Sequence, residues 1–415
     1  SGRSAPAVPL AELLDSSAPT PRPLGDADLG PSAGALPPTN RLNGRLTLLD
    51  TSAISLEVLR DDYDYARFPT RRRLPPDGSF TAEYSQLESA SDGPSRLAPV
   101  ATGLQLTGDI VWNLIFTSGL AWDEPGGVDD GWSRALLPFA LSERNANCLH
   151  NGLLLVAFRD SPSGIGLSNA RFQITQETCL YYKVDYWGQL PGRYDPEPHA
   201  TPRYAEARAR DAYELGARLP TAPIAQLAAD YPGVDPNAFG QQLTPVHVSS
   251  LGVLADGKLY VRDCVTRTGD YAGLCDELVL PSYSLAKSIF GMGLMRLAAK
   301  FGPAVYAARV AELLPEEVGG AEGNWAEVTL LDCLDMMTGN YQSAEYQRDE
   351  DVHSGDFFAA ETYAGKSAAA FSFPNRGMSA LLPLCSWFPP WAVEKSSLRR
   401  LQLVFALGIL RRASC

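Results

Sequence analysis

Ser284-Leu-Ala-Lys287 sets a nucleophile and a base three residues apart at the mouth of a strongly helical, apolar stretch. On a helix that spacing puts both side chains on one face, about one turn from each other. A serine hydroxyl is a poor nucleophile at neutral pH unless an adjacent base takes its proton. A lysine amine can be that base when burial and neighbouring cations lower its pKa. Arginine stays protonated and cannot. The chain favours arginine, and its lysines are Lys183, Lys258, Lys287, Lys300, Lys366 and Lys395. A lysine in this slot therefore carries weight. The competing structural reading makes Ser284 an N-cap or first-turn serine and Lys287 a snorkelling helix side chain.

The flanking residues place the pair on definite elements. Asp263 to Leu280 is a loop rich in Gly, Asp and Thr, ending in Leu278-Val279-Leu280-Pro281. Ser282-Tyr283-Ser284 supplies helix-starting hydroxyls, and Leu285 to Lys300, apolar on nearly every side, predicts a buried central helix. A serine in its first turn lies near unpaired N–H groups and the positive end of the helix dipole. That position suits a reaction in which negative charge develops. Upstream, Val248 to Val261 contains two apolar runs joined by Ala255-Asp256-Gly257-Lys258, the pattern of a tight β-hairpin. Downstream, in Trp325 to Tyr341, Thr329 with Asp332 predicts an acidic helix start and Gly339 a C-terminal stop.

From about Thr244 to about Asn375, these motifs in this order resemble the serine hydrolases of the β-lactamase and penicillin-binding-protein superfamily. They resemble especially the branch of class C β-lactamases, esterases and 6-aminohexanoate-dimer hydrolases. The resemblance implies an α+β fold with a β-lactamase/transpeptidase-like antiparallel sheet and helices, preceded here by a β-rich region. It implies Ser284 as the acylated nucleophile, Lys287 as its partner in proton transfer, and the Ser284 N–H as half of an oxyanion hole. The implied substrate is a small-molecule or peptide-like amide or ester, with no metal or organic cofactor. The family's second motif, Tyr-x-Asn or Ser-x-Asn, and its third, Lys-Thr-Gly or a relative, have only partial counterparts. Tyr341-Gln-Ser343 and Tyr363-Ala-Gly365 lack the amide, and Lys366-Ser367-Ala368 lies in an alanine-rich segment that reads as helix. Residues 376–415, with Trp387, Trp391 and the apolar, basic stretch Leu398 to Arg412, depart from the family pattern. Two functions follow: a serine hydrolase working through an acyl-enzyme, or a β-lactamase-fold binding or scaffold protein without the remaining machinery.

A net charge of −13 and a pI near 4.9 argue against a nucleic-acid partner, which rewards clustered Lys and Arg. No run of about twenty apolar residues predicts a spanning helix. The seven cysteines are dispersed without a Cys-x-x-Cys, so a zinc site is not expected. Cys264 with Cys275, and Cys148 with Cys179, bracket loops at spacings that permit disulfides and export, or else they are reduced buried thiols. His150, His199, His247 and His353 are scattered, without ligand spacing.

Along the chain, residues 1–43 are rich in Ala, Pro, Ser and Gly and are expected to be flexible or draped on the surface, like the stretch after a removed export signal, which suits a secreted or periplasmic protein. Residues 44–200 form the β-rich region, with Leu104 to Phe116 alternating and Gly152 to Phe158 continuously apolar. Within it, Asp123, Glu124, Asp129 and Asp130 read as a solvated turn, with a calcium site as the sharper alternative. Residues 201–243 form a helical connector, with helices expected over Tyr204 to Leu219 and Pro223 to Tyr231. Residues 244–415 are the hydrolase-like domain. The oligomeric state is not legible.

Overall fold

The apolar run Gly152 to Phe158 becomes the middle of a strand, Leu149–Ser161, that is buried on both faces as far as Phe158. Such a strand belongs at the centre of a covered sheet. The computed structural model describes residues 6–17, 22–49, 54–64, 79–88, 92–107, 109, 111–144, 148–162, 164–244, 247–262, 264–315, 318, 325–340, 345, 348, 357, 360 and 362–371. Tyr341 to Ser343, His353 and the segment 376–415 lie outside them. The chain divides into two units, residues 1–142 with 148–279, and residues 143–147 with 280–415.

The first unit is built on antiparallel strands: β1 (Asn43–Leu49), β2 (Ile54–Asp61), β3 (Ser79–Gln86), β4 (Ser95–Pro99), β5 (Leu104–Gln105), β6 (Trp112–Phe116), β7 (Gly119–Trp122), β8 (Ser133–Glu143), β9 (Leu149–Ser161), β10 (Gly164–Leu167), β11 (Ala170–Thr178), β12 (Tyr182–Leu190) and β13 (Gly192–Pro196). Their order is β13-β1-β3-β4-β7-β8-β9-β11-β12-β2, with β10 on β9 and the β5–β6 pair reaching β8. β13 follows β12 in the chain yet pairs with β1 at the other end of the order. The sheet therefore curls on itself. One apolar core accordingly takes Leu46 and Leu48 of β1, Phe158 of β9, Val184 and Tyr186 of β12, and Tyr194 of β13. Gly152 makes the close approach possible, since a Cβ there would sit 2.6 Å from the Phe139 ring and 2.7 Å from Ile174.

The other face of the central strands is also covered. The N-terminal stretch carries helix α1 (Leu10–Leu14) and buries Val8, Leu13 and Leu29, while Arg134 donates to Val8 O at 2.7 Å. Asp26 is buried there and accepts from Gln173, Thr175 and Thr266. The loop from Cys264 to Val279 is closed by the Cys264–Cys275 disulfide and lies on the same face. From it Tyr271 Oη donates to Gly152 O at 2.9 Å. Asn151 bonds both main-chain groups of Val279, accepting from its N–H and donating to its carbonyl at 2.8 Å each. A second disulfide joins Cys148 to Cys179. His150, two residues beyond Cys148, lies buried against the Trp112 and Tyr182 rings.

The acidic run departs from the solvated turn expected of it. Glu124 and Asp129 are buried, and the counter-charge is Arg134, whose Nε and Nη2 donate to Asp129 at 2.6 and 2.9 Å. Trp122 Nε1 donates to Glu124. Among the described residues no group of three acidic, His or Cys side chains is placed to hold a metal.

Helix α2 (Pro202–Gly216) begins at a proline in its first turn, where the missing N–H costs nothing. It is followed by α3 (Leu227–Asp230). Asp211 of α2 and Glu277 meet around Arg96: Nε donates to Asp211 at 2.6 Å and Nη2 to Glu277 at 2.8 Å. The expected hairpin forms. After β14 (Thr221–Pro223), β15 (Leu251–Ala255) pairs with β16 (Lys258–Arg262), Ala255 opposite Lys258. Asp256 and Gly257 turn the corner at φ 47° and 76°, the left-handed pair that a two-residue turn requires. This hairpin falls in the first unit, by contacts with β14, and not with the helix that follows.

The second unit is helical in its described part: α4 (Leu285–Phe301), α5 (Val310–Leu313), α6 (Leu330–Leu334) and α7 (Tyr363–Phe371). Trp325, Val328, Cys333 and Phe371 form its core, with Phe290 of α4 packed against it. Thr329 and Asp332 make the expected capping box, each side chain accepting the other residue's N–H. α6 ends at Leu334, before Gly339, because Met336 already turns at φ 55°. Across the described residues no helix is long and apolar enough to cross a membrane.

Candidate active site

The chain reaches α4 through Tyr283, whose φ of 44° puts a bulky residue in the left-handed region at a cost of about 1–2 kcal/mol. No sequence signal marks a tyrosine for that conformation. The turn hands the chain to Ser284, which has φ −66° and ψ −10° and whose side chain makes no capping bond to the helix. Its hydroxyl is therefore not consumed by the role most first-turn serines play. Lys287, one turn on, donates from Nζ to Ser284 Oγ at 3.1 Å. The two residues singled out by spacing are thus brought together. No described group accepts from the Ser284 N–H, so one main-chain donor stands free beside the hydroxyl.

The surroundings differ from the buried central helix expected to carry the pair. Ser284 and Leu285 are exposed, and Lys287 is half-buried. α4 buries a stripe through Ala286, Ile289, Gly293 and Leu294 and leaves Leu285, Met292 and Met295 open. The all-round apolar composition thus does not correspond to all-round burial; Leu334 of α6 is one neighbour that reaches it, against Gly291. Tyr283 is exposed, and what desolvation it has raises its phenol above the ordinary range.

Lys366 lies on α7, the alanine-rich helix expected from its sequence. Nζ donates to Phe357 O at 2.9 Å and lies 4.8 Å from the centroid of the Phe357 ring. Burial lowers its pKa. Tyr363 is in the same helix.

No protein-family model, curated protein or solved structure matches the chain.

Proposed function

We propose that the chain is a serine hydrolase cleaving an amide or ester bond through an acyl-enzyme, with Ser284 as nucleophile and Lys287 as the base. The 3.1 Å contact between Lys287 Nζ and Ser284 Oγ carries this reading. In this reading the Lys287 amine takes the hydroxyl proton as Oγ attacks the carbonyl carbon, and the carbonyl oxygen becomes the oxyanion. The free Ser284 N–H is a donor suited to that oxyanion. Collapse breaks the bond to the leaving amine or alcohol, which takes up the proton, and water then hydrolyses the ester on Ser284. The likeness to the β-lactamase and penicillin-binding-protein superfamily over residues 244–375 supports the same chemistry. The two disulfides fit an oxidising compartment, and with it a secreted or periplasmic location.

The openness of Ser284 favours a second reading, a binding or scaffold protein in which the pair no longer reacts. Treatment of the full chain with a fluorophosphonate or β-lactam probe, followed by peptide mass spectrometry, separates the two. Labelling on the Ser284 peptide, lost in Ser284→Ala and in Lys287→Arg, is the expected result. A folded protein with no adduct at Ser284 overturns the hydrolase reading, and an unchanged labelling rate in Lys287→Arg overturns the role of the lysine.

A further inference from the structure

The first unit carries a cleft of about 320 Å³ lined by Arg45, Thr81, Glu83, Ala101, Gln105 and Phe116. None of these residues is marked by a motif. They meet because the outward positions of β1 and β3 are paired in register, Arg45 opposite Glu83, and because the segment after β4 runs past them to β5. The volume falls in the range of small-molecule sites. Its polar groups are left with bonding capacity. The Arg45 guanidinium is about half exposed and makes no hydrogen bond among the described residues, its contact being Glu83 Oε1 at 3.8 Å. Glu83 holds Tyr204 Oη and Arg203 Nη2 on Oε1, each at 2.8 Å, and Oε2 has no described partner. The Thr81 hydroxyl and the Gln105 amide are likewise without described partners. Phe116, almost fully buried, supplies an apolar wall.

We infer that this cleft binds a free α-amino acid with a small apolar side chain, its carboxylate on Arg45, its ammonium on Glu83 Oε2 and its side chain against Phe116. A guanidinium and a carboxylate side by side are mismatched to a ligand carrying one charge, because either sign alone meets a like charge. A molecule with both charges a few bonds apart satisfies each, and guanidinium–carboxylate pairs are among the stronger charge-assisted hydrogen bonds. Thr81 and Gln105 complete the polar lining. The inference is independent of the chemistry at Ser284.

The test is a titration of the full chain with L-leucine, followed by calorimetry and by saturation-transfer NMR, with propionate and butylamine as single-charge controls. Saturable binding of L-leucine, with each control at least tenfold weaker, is expected. Arg45→Gln and Glu83→Gln should each weaken L-leucine by roughly tenfold to a hundredfold, the range for losing a hydrogen bond to a charged group. Glutamine at position 83 keeps an acceptor for Tyr204, and Thr81→Val, away from the ion pair, gives a third variant that should weaken binding while melting like the parent. Absence of saturable binding overturns the inference. So does propionate binding as tightly as L-leucine, or parent affinity in a folded Arg45→Gln protein.

Discussion

Arg96→Met should destabilise the first unit more than any loss of an exposed arginine would. Arg96 donates to Asp211 at 2.6 Å and to Glu277 at 2.8 Å, and those carboxylates are only 7% and 6% exposed. Burial on its own would lower the pKa of Arg96, but its bonds to Asp211 and the charges of Glu277 and Asp211 outweigh that and hold it above the ordinary arginine value. Removing one partner of a buried pair costs about 3–5 kcal/mol, because the other charge is stranded. Arg218 still reaches Glu277 at 3.2 Å, and Ser118 still donates to Asp211, so the lower end applies, about 3 kcal/mol. For a unit of this size that corresponds to a fall of about 6–12 °C in Tm. Scanning calorimetry of the parent and variant at pH 7 measures it. The sign with pH is a second check. A stranded carboxylate binds its proton more readily folded than unfolded, so the gap between the two proteins should narrow as pH falls from 7 to 5. A loss below about 1 kcal/mol at pH 7, or a gap that widens on acidification, would refute the argument that Arg96 offsets two buried charges.

Other outcomes follow from the same geometry. His150 is held neutral by burial, with the Arg267 charge adding to the effect, and its pKa falls to about 3. Its unfolded value near 6.5 means stability is present above pH 6.5 and lost below it, by roughly 3 kcal/mol at pH 4, so His150→Phe should show a shallower acid limb in Tm against pH. Burial raises the pKa of Asp26 in the folded state, although Thr266, Gln173 and Thr175 donate to it. Its stabilising contribution is present at acid pH and lost as pH rises through the folded value, so Asp26→Asn should gain on the parent between pH 4 and 7 in urea melts. Cys264→Ser with Cys275→Ser opens a loop of 11 residues' separation and should cost about 3 kcal/mol in denaturant midpoint analysis. Thr329→Ala removes the cap of α6 and should cost about 1 kcal/mol, read by hydrogen exchange in the second unit.

What was legible in the sequence was local. Asp256-Gly257 turns the hairpin because two adjacent residues tolerate left-handed backbone, and Thr329 caps α6 because its partner is three residues on. The β-rich region showed in the continuous apolar run Gly152 to Phe158 and in the alternation of Leu104 to Phe116, which the structure divides between β5 and β6. Ser284 and Lys287 meet because helical spacing alone determines it. The rest depends on contacts that no window of sequence contains. Arg96 finds its partners 115 and 181 residues away, and Arg134 turns a run of acids from a surface turn into a buried pair. The exposure of α4 was missed for the converse reason: its composition is apolar all round, but what it buries depends on which neighbours reach it.

Val279 is held by the amide of Asn151 as a neighbouring strand would hold it, N–H and carbonyl both occupied. Four residues earlier Cys275 is covalently tied to Cys264. A pull on the polypeptide from its C-terminal side would meet these fastenings in succession, the first of them through Asn151 of β9. Under an optical trap, the β-rich unit should therefore outlast the helices beyond Leu280, and reduction of the disulfide should lengthen the first extension released from it.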